Sequence, residues 1–173
     1  MLKLIDVDML DRLSGEAKDS KRLRQNRNLH ARLSDSVQRL CNAFEPGTYV
    51  RPHRHPQKGR WELFVVLRGA AALLMFDDHG TVIERMELAA GGPTLGVEIP
   101  PRTWHTIVSR APGTVLFEVK PGPYSHSEDK EFAGWAPDEE QHLAARDFEG
   151  WYRRATAGAT PPPWTRPSLQ SES

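Results

Sequence analysis

The stretch Gly47-Thr-Tyr-Val-Arg-Pro-His53-Arg-His55, with Glu62-Leu-Phe-Val-Val-Leu67 and Gly69 behind it, decides both the fold and the chemistry. On an extended strand, residues two apart point to the same side, ~6.5–7 Å apart along the chain. His53 and His55 can therefore aim a ring nitrogen at one point. A loop holding Pro56 and Gly59 then returns the chain to Trp61-Glu62, where a carboxylate can join from the next strand. His105, in Ile99-Pro-Pro-Arg-Thr-Trp-His105, offers a fourth donor. A His-x-His pair alone is more often surface decoration. With the carboxylate and the distant imidazole it becomes a mixed nitrogen and oxygen site for a divalent transition metal: iron, zinc, manganese or nickel.

Around this stretch the chain reads as short strands separated by turn residues. The segments 62–67, 70–76, 81–88, 94–99, 103–109 and 114–120 are the candidates, and 28–44 also has extended character. Gly69, Asp77-Asp78-His79-Gly80, Gly91-Gly92-Pro93, Pro100-Pro101 and Pro112-Gly113 punctuate them. Such regular spacing predicts an all-β sandwich or barrel. The run Glu62-Leu-Phe-Val-Val-Leu67 is nearly continuous in apolar character, which predicts a strand covered on both faces.

A helix is expected at each end. Asp6 or Asp8 can cap the first, and Met9, Leu10, Leu13 and Ala17 recur at helical spacing. The second is expected to open at Pro137, with Asp138, Glu139 and Glu140 at its positive end and Leu143, Phe148 and Trp151 as its buried stripe. The expected organisation is an N-terminal helix and linker (1–27), a β-barrel (28–124), a C-terminal helical extension (125–154) and a flexible tail (155–173). The tail holds four of the fourteen prolines, a composition that cannot build a core.

The 173 residues carry 23 positive and 23 negative side chains, so the formal net charge is zero. That balance argues against a dedicated nucleic-acid or anionic-membrane binder. The longest uninterrupted apolar stretch, Ala70–Phe76, is far short of a membrane span. The opening MLKLIDVDML carries two aspartates where a secretory signal needs an apolar core, and a single Cys41 forms no internal disulfide. Both point to the cytoplasm, and Cys41 is expected as a core residue. The neutral total is uneven, because 18–39 holds seven basic residues against two acidic, and 128–149 eight acidic against two basic. These are either solvated faces of opposite sign or segments that supply arginines to an anion or meet each other.

Alternation adds further candidates. Tyr49 and Arg51 share a face with His53 and His55 by period two, so both are candidates to line the cavity. Tyr49 could move a proton. Arg51 could clamp a carboxylate or phosphate, or make a rim ion pair. Glu118 and Lys120 face away from Val115, Phe117 and Val119. They are either a catalytic base and a substrate-binding cation inside the barrel, or the solvent side of an edge strand. Gln38 and Asn42 could add polar lining, and Tyr124 in Pro-Gly-Pro-Tyr-Ser could close the barrel as a substrate-binding lid or pack beneath a loop.

At these residues the sequence resembles the cupin superfamily. Gly47, His53, His55, Glu62 and Gly69 follow its first motif with a six-residue gap between His55 and Glu62, where three or four is usual. Pro100 and His105 match the second, although Arg102 stands where glycine is usual, a departure that bears on the turn and not on the ligand. The phrases NLHARLSDSVQRL, EPGTYVRPHRHP, WELFVVLRG, EIPPRTWHTIV, FEVKPGPY and FAGWAP look like the WbuC family of cupin metalloproteins across roughly residues 2–153. His30 stands at a position that resembles a family-specific one and joins the substrate-binding candidates. The resemblance implies a double-stranded β-helix barrel of jelly-roll type, a metal on His53, His55, Glu62 and His105, and a homodimer. It also implies a link to surface-polysaccharide biosynthesis, hence a small, anionic sugar derivative as ligand and an isomerase or epimerase as the leading function. A cupin dioxygenase and a non-catalytic metal- or sugar-binding module are the alternatives.

Overall fold

The computed structural model describes residues 2–125 and 129–165; Glu128 and the last eight residues of the tail lie outside them. Helix α1 (Val7–Asp19) is followed by strands β1 (Arg24–Asn28), β2 (Val37–Phe44), β3 (His53–Arg54), β4 (Glu62–Arg68) and β5 (Ala70–Phe76). Then come β6 (Val82–Ala89), β7 (Gly96–Ile99), β8 (Trp104–Ser109), β9 (Thr114–Pro121), β10 (Glu131–Phe132) and helix α2 (His142–Tyr152). The strands form two five-stranded sheets, in the orders β1-β2-β9-β4-β7 and β10-β3-β8-β5-β6. Every pairing is antiparallel. From β2 to β10 the chain alternates between the sheets, apart from the β5–β6 hairpin, in the manner of a double-stranded β-helix. The result is a jelly-roll barrel flanked by two helices.

Side-chain alternation assigns three cores. Phe44, Phe64, Val66, Leu73, Ile107 and Leu116 point inward from both sheets and fill one end of the barrel. Leu74 and Phe76, one residue out of phase with Leu73, point outward and join Tyr49, Trp104, Phe148 and Tyr152 under α2. On the opposite side Met9, Leu10, Leu13 and Ala17 of α1 cover Cys41, Ala43 and Val115. Cys41 is thus a core residue, as expected. The Asp6 carboxylate caps α1 by accepting from the Met9 N–H at 2.9 Å. Arg68 fastens the helix to the barrel, donating to the Leu10 carbonyl at 2.8 Å and the Ser14 hydroxyl at 2.7 Å.

Two turns hold the strands in place. Gly69 sits at φ +76°, and a Cβ there would lie 2.5 Å from Thr114 Oγ1, so the β4–β5 turn requires glycine. Arg102 takes φ +66° without being glycine. Its N–H donates to the His55 carbonyl at 2.9 Å and its Nε–H to the Pro56 carbonyl at 3.1 Å, which ties the loop before β8 to the histidine pair.

Three expectations are corrected. Helix α2 begins at His142 rather than Pro137, and Leu143 is 82% exposed; the buried face is Ala145, Phe148, Glu149 and Tyr152, with Trp151 partly covered. Asp138 and Glu139 serve not as helix-end charges but as partners of Arg51 and Arg24. The segment from Ala155 does not leave the barrel at once. Ala155 is buried, Trp164 packs on the outer core, and Val82 exchanges backbone hydrogen bonds with Gly158 and Ala159. No helix among the described residues is long and apolar enough to cross a membrane.

Candidate metal centre

His53 lies directly opposite His105 across the β3–β8 pairing, with ring centroids 4.5 Å apart. His55, just beyond β3, sets its ring at 5.5 Å from His53. Glu62 opens β4 in the facing sheet. One donor atom from each of these four buried residues lies within 4.8 Å of every other, so the structure brings the whole quartet together.

Hydrogen bonding prepares the imidazoles as ligands. Each Nδ1 sits beside a backbone carbonyl: Arg51 for His53 at 3.0 Å, Thr103 for His105 at 2.9 Å, and Asp129 for His55. A carbonyl only accepts, so the ring proton belongs on Nδ1 and the lone pair on Nε2. The Nε2 atoms of His53 and His55 are buried with no hydrogen-bond partner among the described residues. His105 Nε2 stands 3.1 Å from Glu62 Oε2. Two acceptors that close need a cation between them, either a proton or a metal ion. Three nitrogens and one carboxylate oxygen suit a divalent transition metal, and the site fits one.

The field around the quartet is set by burial and by lysines. Burial pushes the Glu62 carboxyl up, but contacts with His105 and His55 and the Lys120 ammonium outweigh it and hold Glu62 well below the usual range. Burial, helped by Lys130 and His105, holds His53 well below its ordinary value, so it is a neutral ligand at pH 7.

Glu118 and Lys120 share the inner face of β9, which is the central strand of its sheet and not an edge. The solvent alternative is thereby excluded: Glu118 is 6% and Lys120 7% exposed. Their Oε1 and Nζ atoms are 3.0 Å apart, and Lys120 also reaches Asp129 at 3.2 Å and Glu62 at 3.7 Å. Asn42 donates to Glu118 Oε2 at 2.6 Å. Burial first, then the Glu62 charge, push Glu118 up to about 7. Burial lowers Lys120, but the three carboxylates raise it well above an ordinary lysine.

His53, Glu62 and His105 of the quartet open into a cavity of about 480 Å³ whose lining includes Glu118, Lys120 and Asn42. Arg51, His30, Gln38 and Tyr124 also reach its wall. Arg51 is engaged in an ion pair with Asp138, donates to the Ala133 carbonyl at 3.0 Å and lies over the Phe132 ring. Tyr124 stands beside Lys120, whose Nζ is 5.8 Å from its ring centroid. Gln38 is committed to the backbone carbonyls of Leu33 and Asp35.

Tyr49 is not in the cavity. Its hydroxyl donates to the Pro137 carbonyl at 2.8 Å and its ring stacks on Tyr152 at 5.8 Å, in the outer core. Regular strand geometry in this stretch covers only His53–Arg54, so the alternation that would have turned Tyr49 inward does not extend back to it. The structure therefore does not bring Tyr49 to the quartet or to the cavity wall.

Lys130, Arg24 and Asp129 contribute and were not anticipated. Lys130 lines the cavity near the quartet, its ammonium lowered first by burial and then by Lys120. Arg24 carries the basic segment to the acidic one, pairing with Glu139 while Arg22 stands 3.9 Å from the same carboxylate. The two oppositely charged segments therefore do meet.

A domain of unknown function, DUF6016, matches residues 5–88. No protein of curated function matches the sequence. Among solved structures, KdgF from Halomonas sp. is 18% identical, with a TM-score of 0.47 over 60% of this chain and 82% of that one. A cupin superfamily protein from Desulfitobacterium hafniense is 18% identical, with a TM-score of 0.44 over 57% and 76%. A Bacillus subtilis oxalate decarboxylase is 16% identical, with a TM-score of 0.48 over 62% of this chain and 27% of that one. The barrel's own strand order, rather than these likenesses, carries the fold.

Proposed function

We propose that this cupin-type barrel is a metal-dependent isomerase or epimerase acting on a small, anionic sugar derivative. One observation carries the reading. Glu118 is buried beside Glu62 on the cavity wall, with its carboxyl poised at about 7. A general base is most useful when its pKa lies near the working pH, because it is then both available and able to return the proton. A metal held by His53, His55, Glu62 and His105 would supply Lewis-acid polarisation of a substrate carbonyl. Glu118 would take the proton from the adjacent carbon through Oε1 and deliver it to the neighbouring position. Lys120, 3.0 Å away, favours the ionised carboxylate before transfer. Asn42 fixes the other oxygen, so the carboxyl presents one reactive edge.

The sugar class, the homodimer and the place in surface-polysaccharide formation rest on the family resemblance alone, and a cytoplasmic setting on the polar opening segment and the single Cys41. The test is incubation of the metal-loaded protein with sugar phosphates and sugar nucleotides in deuterated water. Solvent deuterium entering a substrate without oxygen consumption, and its loss in Glu118→Gln, is the expected result. Substrate-dependent oxygen uptake would replace the proposal with a dioxygenase. Saturable binding without exchange would replace it with a binding module.

A further inference from the structure

The cavity has a second polar feature that the proton-transfer chemistry does not use. His30 follows edge strand β1 of one sheet, and Lys130 precedes edge strand β10 of the other; both line the same cavity. The Arg39 N–H donates to His30 Nδ1 at 3.1 Å. The Arg39 carbonyl, 3.0 Å from the same atom, already accepts from the Leu29 N–H at 2.7 Å. The backbone N–H is fixed and cannot turn away from Nδ1, whereas the carbonyl is satisfied without the ring. Nδ1 is then the acceptor and the ring proton lies on Nε2, the reverse of the tautomer at the three metal-quartet histidines. His30 is 6% exposed, and Nε2 has no partner among the described residues. A buried N–H is rarely left without an acceptor, and here the acceptor must come from the cavity.

Charge decides what kind of acceptor. Lys120 is surrounded by three carboxylates, Arg51 is paired with Asp138, and Arg24 with Glu139. Lys130 feels the same Glu62, Glu118 and Asp129 charges at longer range, but it makes no hydrogen bond or close ion pair among the described residues and brings an additional positive charge to the wall. We infer that His30 Nε2 donates to an oxyanion of the ligand, a carboxylate or phosphoryl group, that Lys130 attracts from the facing sheet. This rests on the proposed function for the ligand being a small anion, and not on any turnover.

The test uses the full chain with isotope-labelled histidines, zinc-loaded and chelator-stripped, titrated with inorganic phosphate in one arm and acetate in the other. The expected spectrum shows His30 as the Nε2–H tautomer. Its signals should shift saturably with at least one anion in both metal states, and the tighter-binding anion identifies the group. Lys130→Met and His30→Gln should each weaken that binding about tenfold. A His30 found as the Nδ1–H tautomer, unmoved by either anion, or bound as tightly in both variants, overturns the inference. Anion binding that requires zinc and moves only His53 and His105 also overturns it, while leaving the isomerase proposal standing. Deuterium exchange failing while His30 still responds to anion would sink the isomerase alone.

Discussion

Glu118 and Lys120, two residues apart on β9, stand side by side within the barrel with 3.0 Å between Oε1 and Nζ. Neither has meaningful access to bulk water. A buried pair of this kind is a weak source of stability, because desolvation offsets much of the attraction. Within it Lys120 opposes the burial and the Glu62 charge that raise Glu118, and the balance leaves that carboxyl at about 7.

Glu118 should give the metal-free protein a pH signature. Folding raises Glu118 from 4.5 to about 7, through burial first and the Glu62 charge second. A carboxyl raised on folding contributes stability that is fully present below about pH 4.5 and is lost as the pH climbs through about 7. Glu118→Gln has no proton to lose. Its stability relative to the natural chain should rise by about 3 kcal/mol between pH 4.5 and about 8. Urea unfolding of both chelator-treated proteins at the two pH values measures this, and an unchanged gap would show that Glu118 titrates normally.

Metal loading should couple to stability and to acid. With the ion about 100-fold above its dissociation constant, linkage gives about 2.7 kcal/mol, or roughly 5–10 °C in Tm for a chain of this size. His53→Ala or His105→Ala should cut bound metal to roughly a tenth and abolish the Tm gain, since each removes one of four donors. Metal should leave as the pH falls, because the imidazoles must be deprotonated to bind. Elemental analysis of protein purified without a metal-affinity tag, beside calorimetry, checks both. Full metal content in His53→Ala with His105→Ala would refute the site.

Much of the barrel was legible because it is written locally. Ala70–Phe76 coincides with its strand, and the other candidate strands differ at their ends by two residues or fewer. The quartet was legible because spacing places His53 and His55 on one side, and turn residues mark the return to Glu62 and His105. The errors share a cause: tertiary partners outside the reach of any local pattern. Asp138 and Glu139 look like helix-end charges until the fold presents Arg51 and Arg24. Glu118 and Lys120 could be placed inside only after β9 was seen between β2 and β4. Lys130 sits in an acidic run with no signal of its own, and enters the cavity because Glu131 and Phe132 pair with Arg54 and His53.

The corrected face of α2 can be tested directly. Phe148 is 1% exposed in the outer core and Leu143 is 82% exposed. Phe148→Ala should cost about 3–5 kcal/mol, whereas Leu143→Ser should stay within about 0.5 kcal/mol. Comparable losses in chemical denaturation would restore the stripe that runs through Leu143.

Glu139 gives the last prediction. It lines the cavity rim, pairs with Arg24, and lies 3.9 Å from Arg22. Burial lowers the Arg24 guanidinium, and Glu139 is the partner that most offsets this. The carboxylate therefore occupies the place that an anionic group of a ligand would take against these arginines. Glu139→Gln keeps the shape and removes the charge, which leaves two guanidiniums uncompensated at the entrance. Its side chain is 30% exposed, so solvent screens part of the loss, and the stability cost should be about 1 kcal/mol. Inorganic phosphate should bind the variant several-fold more tightly at low salt, and the gain should shrink as ionic strength rises. If Glu139 instead accepts hydrogen bonds from ligand hydroxyls, anion affinity would not rise and neutral sugars would bind more weakly. Calorimetric titration of phosphate and of a neutral monosaccharide into both proteins separates the two roles.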